Sequence, residues 1–437
     1  MARFFSSDAL QPGVKRREVF GWAMYDFANS GFTTVVITAV FAAYFVGGVA
    51  EGAAWATLAW TAGLSLSYLI VMVTMPGLGA WADRVAGKKR LLMWFTGACV
   101  ISTAALAAVG PGQVALGLLL LVISNTFYSY GESLTASFLP ELARPETMGR
   151  VSGWGWGLGY IGGMLTLGLC LAYVLAAQAR GESGSQFVPV TMVITALMYG
   201  AAACVTFALL RERSAPQPNA PVVGFWQSLS ALRRTFQEAR PYQDFTRLMA
   251  CAVAYQAGVA VAISLAAIYA EQVIGFKPQE TMVLIFVLNT AAFAGAMIFG
   301  YAQDRIGHKL ALSLTLVGWI LTCVIAALST NKEQFWWAAA IAGVCMGSSQ
   351  SSGRAMAGLL VPPARLGEFF GLWTFAIRLA SILGPLSYGL ITWLSGGNQR
   401  LAIGVTSLMF VLGLLLLIPV NLERGRRMAL GQSADQT

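Results

Sequence analysis

The chain has 437 residues, 57% of them hydrophobic and only 11% charged, with a mean hydropathy of +0.67 and a net charge of +9. Soluble domains carry about 25% charged residues, so this composition excludes a soluble enzyme and makes lipid the partner of the surface. The basic excess does not call for nucleic acid, because it falls in loops on one side, as the positive-inside rule requires.

The first 19 residues are polar and end in Lys15, Arg16 and Arg17, and no cleaved leader is expected there. Twelve apolar segments follow, at about 20–47, 55–81, 91–109, 113–138, 152–178, 188–210, 246–273, 280–303, 309–329, 334–361, 368–395 and 400–420. Each is long enough for a spanning helix of about 20 residues. The pattern predicts an all-α polytopic membrane protein. Its six-helix halves cover residues 20–210 and 246–420, and its tails are 1–19 and 421–437. Placing both tails and the even-to-odd loops on the cytoplasmic side collects 22 of the 28 Lys and Arg residues there. Arg180, Lys277, Lys332 and Arg400 remain outside, and Arg354 and Arg378 fall within spans.

The connection 211–245 divides the halves. After Pro216, Pro218 and Pro221, the apolar residues Phe225, Leu229, Leu232 and Phe236 recur at helical spacing around Arg233 and Arg234, which predicts an amphipathic linker helix on the cytoplasmic surface. Span 5 carries Gly153, Gly155, Gly157, Gly159, Gly162 and Gly163, a signal for close helix packing.

One stretch occurs twice. Gly79-Ala-Trp-Ala-Asp83-Arg84 leads to Gly87-Lys88-Lys89, and Gly300-Tyr-Ala-Gln-Asp304-Arg305 leads to Gly307-His308-Lys309. The aspartates lie 221 residues apart, about half the chain, the offset of a duplicated unit. A second pair, Leu139-Pro140-Glu141 and Val361-Pro362-Pro363, repeats after spans 4 and 10.

This doubled loop resembles the signature of the major facilitator superfamily. The resemblance implies that Asp83, Arg84, Lys88, Asp304, Arg305 and Lys309 gate the cytoplasmic side. Three stretches are similar to the vacuole-effluxer-like branch of that superfamily: Gly21-Trp-Ala-Met-Tyr25-Asp26, Phe138-Leu-Pro140-Glu141, and the Gly-rich run from Arg150 to Gly163. That branch implies an amino-acid-like solute and export. A more distant likeness to sugar–cation symporters rests on Asp26 in span 1 and on Glu132, eight residues before Pro140. The positions that would complete a sodium cage are Met75 and Val71.

Charges inside a span cost roughly 2.5–3.5 kcal/mol each on insertion scales, so each needs a reason. Asp26, Asn29 and Thr33 share a helical stripe in span 1, read as a cavity wall or a packing network. Asn125, Tyr128 and Glu132 share a face of span 4. Glu132 is either a proton carrier or one end of a permanent salt bridge. Gln350 and Arg354 share a face of span 10. Arg354 is expected to meet a substrate carboxylate, the alternative being that it snorkels to phosphate. Arg378 in span 11 is expected to pair with Glu132 or Asp26. Tyr255 and Gln256 are further candidates in span 7.

Cys99, Cys170, Cys204, Cys251, Cys323 and Cys345 all lie in apolar runs with no ligand spacing, and the only histidine, His308, is in a loop. Neither a metal nor any other cofactor is indicated. A membrane enzyme lacks a nucleophile–base pair, and no Gly-x-x-x-x-Gly-Lys-Ser/Thr loop supports ATP-driven transport. The expected protein is a monomeric secondary transporter of a small polar or zwitterionic solute, coupled to protons through carboxylates. A sugar or a lipid-like molecule is the alternative solute.

Overall fold

The computed structural model describes residues 5–51, 53, 55–213, 234–276, 278–396 and 398–431. Among these, regular structure is helical, and the one β-bridge joins Leu10 to Ala143. Spanning segments satisfy every backbone polar group internally, which leaves helices as the solution for apolar runs of this length. Twelve long helices result: α1 Arg16–Phe32, α2 Ala56–Val85, α3 Lys88–Ala105, α4 Val114–Ser137, α5 Met148–Ala179, α6 Gly184–Leu209, α7 Gln243–Tyr269, α8 Pro278–Ile306, α9 His308–Leu328, α10 Lys332–Leu360, α11 Leu366–Leu394 and α12 Gln399–Leu417. Eleven of the described helical segments are apolar enough over 18 residues to cross a membrane. The other, α10, carries the run Ser348-Ser-Gln-Ser-Ser352 and Arg354, which lowers its hydropathy.

α1 does not end at Phe32. It continues through π-helical turns at Thr33–Ala39 and Phe45–Val49, on either side of the short helix Phe41–Tyr44. Residues 5–15 are not a free tail either. Gln11 N donates to Leu142 O at 3.0 Å, and Phe5 meets Trp154 edge-on at 5.2 Å. A thirteenth helix, α13 (Leu422–Ala429), folds back inside the segment read as a tail, anchored by Arg424 on Asp244 at 2.7 Å. Of the linker helix, residues 234–239 are helical and Phe236 packs on Phe375. Phe225, Leu229, Leu232 and Arg233 lie outside the described residues.

The halves meet in a pseudo-symmetric way. α2 packs along α11, and α8 packs along α5, the pair related to it by exchange of the halves. α10 also meets α5, and α11 meets α4. Glycines permit these approaches. A Cβ on Gly79 would collide with the carbonyl of Gly367, and Gly153 and Gly300 face each other without room for one. The glycines of α5 serve two neighbours: Gly162 lies on Phe27 of α1, and Gly157 on Met297 of α8. Tails and Asp-Arg loops lie at one end of the bundle, here called the terminal face.

Candidate functional site

At the terminal face, each repeated loop holds the opposite half through a helix N-terminus. Asp83, at the end of α2, accepts from Gly367 N at 3.0 Å and Glu368 N at 3.1 Å, the second and third residues of α11. Asp304, at the end of α8, accepts from Gly149 N and Arg150 N at 3.0 Å each, the second and third residues of α5. These amides have no intrahelical partner and carry the positive end of the helix dipole, so a carboxylate is their natural complement. All four bonds cross between the halves and hold this face closed.

The basic residues of the two loops behave differently. Lys88 is fully buried, pairs with Glu141, and lies 3.9 Å from Asp83. Its counterpart is His308, whose Nδ1 lies 3.1 Å from Gln303 Oε1 and whose Nε2 lies 4.0 Å from Asp304. Lys89 caps the end of α6 on Leu210 O at 2.6 Å, as Lys309 caps the end of α12 on Ile418 O and Val420 O at 2.5 and 2.9 Å. Among the described residues, Arg84 and Arg305 take no part in an ion pair that crosses the seam; Arg305 is exposed, and Arg84 Nη1 is buried with no hydrogen-bond partner among those residues. Glu212, just past α6, accepts from Lys88 N and Lys89 N at 2.7 and 3.1 Å. Burial holds its carboxyl above the usual range, against the pull of those two amides.

Deeper in the seam stand two ion pairs, each with its acid in the first half and its arginine in the second. Arg354 Nη1 of α10 donates to Asp26 Oδ2 of α1 at 2.7 Å. The same guanidinium donates to Ser152 Oγ at 3.1 Å and Ser152 O at 2.8 Å on α5, and lies between the rings of Trp22 and Trp156 at 4.9 and 5.2 Å. Gly155 leaves the space for it, since a Cβ there would strike the Asp26 carboxylate and Arg354. Arg378 of α11 pairs with Glu132 of α4, over the rings of Tyr68 at 5.2 Å and Tyr128 at 5.9 Å. The pairs differ in access. The Asp26 and Arg354 side chains are 10% and 7% exposed, while Glu132 is 33% exposed.

The other candidates scatter around these pairs. Asn29 turns away from Asp26 and accepts from Tyr199 OH of α6 at 2.7 Å, inside the first half. The expected stripe is therefore divided, because the helix points Asn29 at a neighbour that needs an acceptor. Thr33 Oγ1 donates to its own helix at Asn29 O. Asn125 donates to Ser67 at 2.5 Å, and Tyr128 stacks on Phe32 at 5.0 Å. Gln256 of α7 donates to Gln350 of α10 at 2.9 Å, and Tyr255 is buried behind them. Arg354 is enclosed between the halves, its side chain only 7% exposed. Ser152, Trp22, Trp156, Tyr68 and Glu141 were not marked by the sequence as site residues. A signal existed in three of them: Trp22 precedes Asp26 by four, and Ser152 precedes Trp156 by four, about one helical turn each. Five of the six cysteines are buried; Cys204 is exposed on the bundle's outer surface.

Two six-helix halves, joined by polar contacts at one face and enclosing charged residues between them, are the arrangement of a secondary transporter of the major facilitator fold, which works by alternating access. A family profile described as "Vacuole effluxer Atg22 like" matches residues 56–430, and the chain belongs to that family. It is 28% identical over 401 residues to the uncharacterized MFS-type transporter YxiO of Bacillus subtilis, covering 91% of this chain and 93% of that one. It is 23% identical to autophagy-related protein 22-1 of Aspergillus niger, covering 85% and 74%. Among solved structures, the human organic anion transporter MFSD10 superposes with a TM-score of 0.73 at 15% identity, covering 93% of this chain and all of that one. The proton:xylose symporter XylE superposes with a TM-score of 0.70 at 13% identity, covering 93% and 94%. The named relatives are transporters, not enzymes.

Proposed function

We propose that the protein exports a small zwitterionic, amino-acid-like solute from a bacterial cytoplasm, across the inner membrane, in exchange for protons and as a monomer. The terminal face is the cytoplasmic one in this reading, which the distribution of Lys and Arg supports. The observation that carries the solute class is the Glu132–Arg378 pair. It joins opposite charges in the seam between the halves, and its acid is the more accessible of the two seam carboxylates. A zwitterion can replace both partners at once. Its carboxylate takes the planar guanidinium of Arg378, whose Nε is buried without a partner among the described residues, and its ammonium takes Glu132. Tyr68 and Tyr128 supply an aromatic floor.

The roles first assigned to the two arginines are thereby exchanged. Arg354 holds the halves together through Asp26 and Ser152, and Arg378 binds solute. Proton coupling follows from competition. The solute's ammonium and a proton compete for the same Glu132 carboxylate, so uptake of one accompanies release of the other, as exchange requires. The experiment is transport in proteoliposomes with labelled amino acids, with and without an imposed pH gradient. Gradient-dependent movement of one class supports the proposal. Movement of sugars or lipids instead, with no amino acid moved, overturns the solute class and leaves the fold untouched.

A further inference from the structure

The structure assigns a second binding site, for a small organic anion with an apolar body, in a cavity of about 600 Å³ on the terminal face. The cavity lies beneath the closed seam, outside the Glu132–Arg378 region. Its wall draws on both halves: Pro140, Met148 and Asp83 come from the first, Leu359 and Leu366 from the second. A volume of this size suits a drug-sized ligand, and such sites are mostly apolar with a few placed polar groups.

The charged groups on the wall set the ligand's sign. The two acids are already engaged on both oxygens by groups of the protein. Asp83 accepts two backbone amides of α11, and Glu141 accepts from Lys88 and from Arg213 N at 3.3 Å. The two arginines retain donors. Arg213 uses Nη2 on Glu18 at 2.6 Å and on Gly13 O at 3.4 Å. Among the described residues Arg426 reaches Glu146, at 3.4 Å, and both side chains of that pair are well exposed. A guanidinium carries five N–H donors, so an anion at this rim gains bonds without breaking a buried pair. Prolines and leucines take the rest of the molecule.

The consequence is conformational. Rocking the halves apart at this face separates Asp83 from Gly367 and pulls the wall in two, so the site exists in full only while the face is closed. A ligand that binds one state alone shifts the equilibrium toward it by its own binding free energy. An anion at the terminal face therefore holds the transporter closed on that side, whatever solute it carries.

The test uses the full-length protein in nanodiscs with 1-naphthaleneacetate as probe and uncharged 1-naphthaleneacetamide as its control, followed by calorimetry. Spin labels at Val85→Cys and Ile306→Cys, exposed at the terminal ends of α2 and α8, in a Cys204→Ser background, report closure by distance. The carboxylate should bind at least about ten-fold tighter than the amide, the preference expected of a charged hydrogen bond. Arg426→Gln should remove that preference, and Ala364→Trp, which fills the cavity without touching a charge, should abolish binding. The short-distance population should grow with probe in the parent and not in Ala364→Trp. Equal binding of acid and amide, or binding unaffected by both substitutions, overturns the site. Specific binding with an unchanged distance distribution overturns its link to closure. Neither readout depends on the transported solute, so failure here is separable from failure of the proposed function.

Discussion

Arg354 and Asp26 face each other across the two halves at 2.7 Å, with almost no access to solvent. Removing one member of a buried pair leaves the other charge uncompensated, at a cost of about 3–5 kcal/mol. Asp26→Asn should therefore weaken the state that is closed at the terminal face and populate the opposite one. Spin-label distances across that face should lengthen. The double variant Asp26→Asn, Arg354→Gln should recover part of the short-distance population, because no stranded charge remains. If the single and double variants have equal distance distributions, the pair does not hold the seam.

The two aspartates of the repeated loops invite a parallel test. Each accepts two amides at a helix N-terminus, and losing such a cap costs about 0.5–2 kcal/mol. Asp83→Ala and Asp304→Ala should each move the closed population by about ten-fold, with similar size for the two because the geometry is repeated. An effect in one variant only would break the equivalence of the loops.

Much of this was legible in the sequence. Twelve apolar runs and the two Gly-x-x-x-Asp-Arg loops state the fold, since apolar length and internal duplication are one-dimensional properties. The pairing of charges was less legible. Asp26 and Arg354 are 328 residues apart, and which arginine meets which acid depends on the rotation of four helices about their axes. The same holds for Asn29, which shares Asp26's stripe in projection yet turns to Tyr199. The α13 helix and the folded-back residues 5–15 left little trace in hydropathy, because polar interfacial segments are held by a few bonds such as Arg424 to Asp244.

Lys88 is a buried cation at a gate, and that makes its replacement informative. Lys88→Met should destabilise the fold by about 3–5 kcal/mol, because the Glu141 carboxylate loses its buried counter-charge. Lys88→Met with Glu141→Leu should restore most of the loss, as apolar replacement of a whole buried pair often does. Thermal unfolding of the single and double variants in one detergent measures the difference. Equal losses would show that Lys88 acts through Asp83 alone.

The loop geometry gives a stabilising substitution. The left-handed position at the end of α8 is Gly307, with φ +91°, but its counterpart at the end of α2 is Ala86, with φ +47°, one residue ahead of Gly87. A left-handed alanine costs roughly 1–2 kcal/mol, and glycine loses roughly 0.5–1 kcal/mol through greater freedom when unfolded. Ala86→Gly should therefore raise stability by up to about 1 kcal/mol. A fall in the unfolding midpoint would show that the Ala86 methyl makes a contact worth more than the strain.

Glu132 and Arg378 carry the last prediction. If protonation of Glu132 couples transport, Glu132→Gln should abolish accumulation driven by a pH gradient while leaving exchange of solute across the membrane. The amide keeps the size of the side chain and cannot cycle a proton. Arg378→Lys keeps the charge but loses the planar fork, so it should raise KM for a carboxylate-bearing solute about ten-fold or more while pH dependence survives through Glu132. The two variants thus differ in one readout, because Glu132→Gln loses the coupling whereas Arg378→Lys keeps it. Gradient-driven accumulation that persists in Glu132→Gln would move the proton site to Asp26, where the same substitution would then be expected to remove it.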